Sequence, residues 1–338
     1  MPTTDFEKLF NDISQIKVAI VGDIMLDTYW WGNVERISPE APVPVVALDR
    51  KELRLGGAAN VALNTVSLGA ATVLFSVIGD DEDGETLISL LNKNNIITDF
   101  VVKSSDRITT NKTRIISRNQ HMLRLDAEMT AEINEAAQLA LLQRFEAFVE
   151  TQNPSVVIFE DYNKGVLTEN VIKQMISICL KNNIVTTADP KRKNFFCYNN
   201  VTIFKPNLKE VKEGLNVLLD DINEEFLRDI HQQLHQKLQH SVSLITLSEK
   251  GVFYQQKAKW GIIPTYVRNI ADVSGAGDTV IAVASIVYAS TKNIHLTAIV
   301  ANIAAGLVCE EVGTVAINKE KLLAECINFL PDLLPAEV

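Results

Sequence analysis

Short apolar runs, each closed by a turn-forming or charged residue and each followed by a helix-length segment, recur at least five times along this chain. Examples are Val18 to Val21 before Gly22-Asp23, Val73 to Ile78 before Gly79, and Val156 to Phe159 before Glu160-Asp161. Ile184 to Ala188 before Asp189-Pro190-Lys191, Val201 to Phe204 before Lys205-Pro206-Asn207, and Val242 to Thr246 continue the series. Such near-continuous runs belong to strands buried on both faces, and their alternation with helices predicts a doubly wound, mostly parallel sheet with helices on both faces. In open sheets of that kind ligand groups gather beyond the carboxyl ends of the strands. Asp23, Asp27, Asp161, Lys164, Asp189 and Lys191 all fall in that position. Asp23 and Asp27 read equally well as loop caps.

Two glycine loops open helices. The first is Leu55-Gly56-Gly57-Ala58-Ala59-Asn60, and the second is Asp272-Val273-Ser274-Gly275-Ala276-Gly277-Asp278-Thr279 ahead of the apolar run Val280 to Tyr288. Glycine lets the backbone approach a ligand closely, and a helix start offers unpaired N–H groups and a favourable dipole to an anion. Asp278 in the first turn is either a plain N-terminal acid or a base beside an anion hole formed by Gly275, Ala276 and Gly277. On the second reading the helix start holds Asp278 ionised at neutral pH.

Two stretches break the βα rhythm. Residues 28–52 carry Tyr29-Trp30-Trp31 and the prolines Pro39, Pro42 and Pro44, which exclude a helix. Residues 100–127 return to strand-like alternation, with Lys112, Arg114 and Arg118 on one face by the period of two. Together they predict a small β-sheet lid on a single domain of residues 1–338. A net charge of −10 argues against nucleic acid and requires any positive site to be local. No window has the ~18 apolar residues of a membrane span, and the cysteines Cys179, Cys197, Cys309 and Cys326 form no C-x-x-C pair, so a cytoplasmic protein is expected. His231, His235 and His240 read as a solvated helix face.

A nicotinamide-binding G-x-G-x-x-G after the first strand and a G-x-x-x-x-G-K-[ST] loop are both absent. Gly56-Gly57 with Asn60, Asn207-x-x-Glu210, and Asp272-x-x-Gly275-Ala276-Gly277-Asp278, in that order, resemble the ribokinase-like (PfkB) family of carbohydrate kinases. That resemblance implies a ribokinase-like α/β fold with a small β lid and transfer of a phosphoryl group from ATP, with Asp278 as base. It places ATP at Asn207, Glu210, Thr246, Ser248, Gly251, Gly275, Gly277 and Asn302, and sugar at Asp27, Gly56, Gly57 and Asn60. It implies Mg²⁺ held through water by Asn207 and Glu210, the alternative being a polar first helical turn, and K⁺ beside Asp272 and Gly313. Residues 22–46 with their proline block, and Ser117 to Asp126, resemble the bacterial heptose 7-phosphate kinase branch of the family. That branch acts at the anomeric hydroxyl of D-glycero-D-manno-heptose 7-phosphate in ADP-heptose synthesis for lipopolysaccharide. The distal phosphate then falls to Arg118, Arg124, Lys164 or Lys191, unless the basic row is a solvated edge. Another PfkB-type sugar kinase and an inactive sugar-binding regulator are the alternatives. No H-x-G-H motif of a nucleotidyltransferase occurs, so the kinase half alone is expected, as a homodimer.

Overall fold

The computed structural model describes residues 5–118, 120–217, 222–266 and 268–333. The chain opens with α1 (Phe6–Ile13) and β1 (Lys17–Gly22), departs along β2 (Ile24–Ile37) and β3 (Pro44–Gly57), and returns through α2 (Ala58–Ser67) to β4 (Ala71–Phe75). Short β5 (Val77–Gly79), α3 (Glu82–Lys93) and β6 (Val102–Ser104) precede a second departure along β7 (Asn111–Ser117) and β8 (Gln120–Ala127). Then follow α4 (Glu135–Gln152), β9 (Val156–Glu160), α5 (Glu169–Lys181), β10 (Val185–Asp189), β11 (Ile203–Phe204), α6 (Leu208–Leu215), α7 (Glu224–Leu238) and β12 (Val242–Thr246). The hairpin β13 (Val252–Gln256) and β14 (Lys259–Ile263) leads to α8 (Ala276–Thr291), α9 (Ile294–Val308) and α10 (Lys319–Leu333).

The main sheet runs β14-β13-β12-β11-β10-β9-β1-β4, parallel from β12 to β4, with β13 and β14 antiparallel. Alternate residues feed two cores: Val18, Ile20, Val156 and Ile158 meet α1, α2, α8 and α9, whereas Ala19, Val21, Val157 and Phe159 meet α4, α5 and α7. Helix α8 is apolar on every side because it packs on α2, α9, β9 and β10 at once. Among the described residues no helix is long and apolar enough to cross a membrane.

The second sheet has the order β3-β2-β7-β8 and forms the lid. Its strands reach beyond the expected 28–52 at both ends, so that Gly56 and Gly57 close β3 and feed α2 directly. Of 100–127, only Asn111–Ser117 and Gln120–Ala127 join the lid; Val102–Ser104 pairs with Val77–Gly79 instead. Arg118 lies in the β7–β8 turn at φ +47°, beyond the strand whose face it was expected to share.

The histidines depart from the expected solvated face. His231 and His240 are buried, and the three rings lie 5.6–5.8 Å apart. His231 Nδ1 and His240 Nε2 share the Ser243 hydroxyl at 2.9 and 2.6 Å. His231 follows Leu227 by four residues and therefore shares the inward face of α7, while His240 lies past its end. Burial lowers the two rings to about 4 and about 3.

Candidate active site

At the start of α8 the N-cap Gly275 adopts φ +78°, and a Cβ there would lie 2.8 Å from Asn60 Nδ2. Asp278 does not cap the helix. Its Oδ2 accepts from Asn60 Nδ2 at 2.8 Å and its Oδ1 from the Tyr162 hydroxyl at 2.7 Å. Asn60 is delivered by the turn at Gly57, where φ is +60° and a Cβ would meet the Asp23 carbonyl at 2.4 Å. One turn on, Asn64 donates to the Asn60 carbonyl, and its Oδ1 accepts from Thr279 and from the N–H of Ile317. Tyr162 is delivered by Asp23, whose carboxylate accepts the N–H groups of Tyr162, Lys164 and Val166 at 2.8, 3.0 and 3.1 Å. Asp23 is thus the loop cap, and Asn60 is fully buried with its amide donating to Asp278. Burial pushes the Asp278 carboxyl up to about 6, against the pull of Asn60 and Tyr162. The expected depression by the helix start is overturned because desolvation outweighs it.

Below this carboxylate the strand ends bring together charges of both signs. A Cβ on Gly277 would meet nothing closer than Lys205 Nζ at 3.8 Å and Asp189 Oδ2 at 4.0 Å. Lys205 pairs with Asp189 at 2.7 Å, and Lys191 bridges Asp189 at 3.3 Å and Glu210 at 2.7 Å. Burial opposes the Lys191 charge, but Asp189, Glu210 and Glu160 hold the ammonium above its usual range. Glu160 is fully buried with both carboxylate oxygens unpartnered, and burial together with Asp189 and Asp278 raises it well above the carboxylate range. Asp161 faces away: it accepts from Tyr198 at 2.9 Å and Asn194 at 3.2 Å, so its part is to hold the loop.

Asn207 and Glu210 form a reciprocal capping box on α6, each side chain accepting the other's N–H at 2.8 Å. This is the polar-first-turn alternative, and it leaves one Glu210 oxygen on Lys191. Thr246 lies beside Asn207 and donates its N–H to the Pro206 carbonyl. Ser248 begins the next turn at φ +54°. Gly251 is required by the hairpin, since φ is +95° and a Cβ would lie 1.9 Å from the Ile263 carbonyl. Asn302 fixes the Pro264 carbonyl from α9 at 2.9 Å. Asp189 and Glu210 are the carboxylates through which a hydrated divalent cation would be held here, each already paired with a lysine. Asp272 and Gly313 do meet, with the carboxylate accepting the Gly313 N–H at 2.9 Å. A K⁺ ion does not fit there: the carbonyls of Val312 and Thr314 already accept from Arg54.

The lid supplies the local positive charge. On one face, Asp27, Tyr29 and Trp31 of β2 lie between Arg54, Glu52 and Arg50 of β3 and Lys112 and Arg114 of β7, with Arg124 and Asp126 opposite on β8. Five basic side chains thus face three acids in a chain of charge −10. Arg114 meets Asp27 at 2.6 Å, and both Arg54 and Arg114 lie over the Tyr29 ring. Gly56 is needed here, since a Cβ would lie 2.6 Å from Asp27 Oδ2. Arg124 grips Asp126 by two bonds of 2.8 and 3.0 Å, and Glu128 receives Lys112 and Lys164, both at 2.8 Å. Arg118 is exposed at the turn. Sequence reasoning left Tyr162, Lys205, Arg54 and Arg114 out of the site, although Lys205 and Tyr162 follow strand ends and carried that signal.

Residues 15–321 match the profile of the pfkB family carbohydrate kinases. The bifunctional protein HldE of Helicobacter pylori (strain Shi470) is 36% identical over 321 residues, 95% of this chain and 68% of that protein. HldE of Methylobacillus flagellatus is 39% identical over 308 residues, 91% of this chain and 62% of its own length. In fold, phosphofructokinase-2 from Escherichia coli in complex with potassium has a TM-score of 0.77 at 17% identity, covering 92% of this chain and 99% of that one. Arabidopsis thaliana ribokinase complexed with ribose and ATP has a TM-score of 0.70 at 16% identity, covering 91% and 99%.

Proposed function

Because the chain belongs to the pfkB family of carbohydrate kinases, we propose that it moves the γ-phosphoryl group of ATP to the anomeric hydroxyl of D-glycero-D-manno-heptose 7-phosphate. The observation that carries the proposal is Asp278, a carboxylate aimed by Asn60 and Tyr162 at the glycine-built start of α8. In that reaction the hydroxyl oxygen forms a bond to the γ-phosphorus, the bond from that phosphorus to the bridging oxygen of ADP breaks, and Asp278 takes the hydroxyl proton. The N–H groups opening α8, with Lys205 beside Gly277, face the charge of the moving phosphoryl group. Mg²⁺ would supply charge neutralisation between the phosphates, and Glu210 and Asn207 would hold it through its water shell. The choice of a phosphorylated sugar is supported by the basic lid face, on which Arg114 and Arg124 stand directly opposite each other. A phosphate there would take over the donors now held by Asp27 and Asp126. The reading covers the phosphoryl-transfer step alone, since the chain spans under seven-tenths of the HldE relatives cited.

The opposite lid face exposes Leu123 and Leu125, which suits a homodimer; light scattering tests that assembly. ADP release, compared across heptose 7-phosphate, fructose 6-phosphate and ribose, tests the activity. Heptose 7-phosphate is expected to give the highest kcat/KM, and Asp278→Asn should lower its kcat by orders of magnitude. A better rate with ribose or fructose 6-phosphate would replace this reading by that of a generic sugar kinase.

A further inference from the structure

The loop between α9 and α10 turns at Gly313 with φ +75°, and a Cβ there would lie 2.6 Å from Arg54 Nη1. That nitrogen donates to the carbonyls on either side of the glycine, Val312 at 2.7 Å and Thr314 at 3.1 Å. The guanidinium is fixed from its other sides: Nε donates to Glu52 at 2.7 Å, and the Tyr29 ring lies 4.9 Å beneath it. Asp272 accepts the Gly313 N–H and also the N–H and hydroxyl of Ser274 just before Gly275. The 312–314 segment is therefore held by a carboxylate through its N–H and by a cation through its carbonyls. Convergent backbone carbonyls beside a carboxylate are the ligand set a dehydrated K⁺ ion takes.

We propose that the Arg54 guanidinium fills the place of a monovalent cation at this loop and makes both catalysis and stability independent of K⁺. A tethered charge occupies the carbonyls without the entropy of capturing a free ion, and its own charge repels a second cation. Because Arg54 sits on β3 directly opposite Asp27, the substitute also ties the lid to the loop that packs on Gly275. The catalytic half of the proposal rests on the kinase reading above; the stability half does not.

The test compares chloride salts of K⁺, Na⁺ and choline at equal ionic strength, reading ADP release with heptose 7-phosphate and thermal melting of the same samples. The wild-type chain is expected to vary less than twofold in rate and to melt at one temperature in all three. Arg54→Met keeps the apolar stem and removes the charge. It should be at least tenfold slower in choline, regain most of its rate in K⁺, and melt about 2–4 °C higher in K⁺ than in choline. Arg54→Lys, retaining a charge, should stay indifferent to the salt and serves as the second variant if Arg54→Met does not fold. A wild-type rate or melting temperature that rises with K⁺ over choline overturns the proposal. So does a folded Arg54→Met that responds equally in every salt. If no sugar is turned over in any salt, the kinase reading fails, while melting still decides the cation question.

Discussion

Replacing Tyr162 by Phe removes one hydrogen bond from Asp278 and leaves the aromatic ring in place. The Tyr162 hydroxyl lies 2.7 Å from Oδ1 and stabilises the ionised carboxylate, which burial has already raised to about 6. A hydrogen bond to a buried charge contributes about 1.5–3 kcal/mol, or about 1–2 pH units; the lower end applies because Asn60 still donates to Oδ2. The Asp278 carboxyl of Tyr162→Phe should therefore titrate near about 7. If the ionised carboxylate is the base, kcat/KM falls with protonation on the acid side. At pH 6 the ionised fraction drops from about a half to about a tenth, a loss of about fivefold, while at pH 8 the two enzymes differ by about a tenth. The assay is ADP release from pH 5 to 9 at subsaturating sugar phosphate and saturating ATP, so that the profile reports the sugar-free enzyme. An acid limb that stays in place, or a loss of equal size at every pH, would refute the assignment of Asp278 as the base tuned by Tyr162.

Glu160→Gln should stabilise the protein at pH 8 and do nothing at pH 4. Its folded carboxyl is raised, so above about pH 4.5 the unfolded chain alone loses the proton and the native state loses stability as pH rises. Equal urea midpoints for both proteins at pH 8 would contradict that. Glu210→Gln should raise the Mg²⁺ concentration for half-maximal rate several-fold and lower stability by about 1 kcal/mol through the weakened capping box; Mg²⁺ titration and thermal melts check both parts. Arg124→Ala should reduce kcat/KM for heptose 7-phosphate about tenfold and leave an unphosphorylated sugar within about twofold; a uniform loss would place Arg124 outside the phosphate site.

Much of this architecture is legible in the sequence because its signals are local. Two-sided burial writes itself as unbroken apolar strands, and the starts of α2 and α8 need glycines at Gly57 and Gly275 for positive φ. What escapes is set by contacts between distant segments. The partners that aim Asp278 come from 218 and 116 residues away, and no periodicity encodes that meeting. In Glu160-Asp161-Tyr162 the choice among three adjacent polar residues depends on the loop register imposed by Asp23. Asp161 looks like the ligand group, yet the chain turns it toward Tyr198. The sign of the Asp278 shift was likewise hidden, because a helix start is visible in sequence and the degree of desolvation is not.

The lid shows how an acidic protein can receive an anion without carrying loose positive charge. Arg114 is held by Asp27, Lys112 by Asp126 and Glu128, Arg124 by Asp126, and Lys164 by Glu128. On the proposed reading, a substrate phosphate would not neutralise a bare cation there; it would take over donors from a carboxylate that then turns to water. The net gain is the difference between a dianion with three acceptor oxygens and a monoanion with two, so each arginine contributes modestly to affinity. Discrimination against an unphosphorylated sugar equals that same net gain. A sugar lacking the phosphate offers nothing in exchange, and the internal ion pairs simply persist. The same pairing explains how Lys112, Arg114 and Arg124 share one face of a four-stranded sheet without driving it apart.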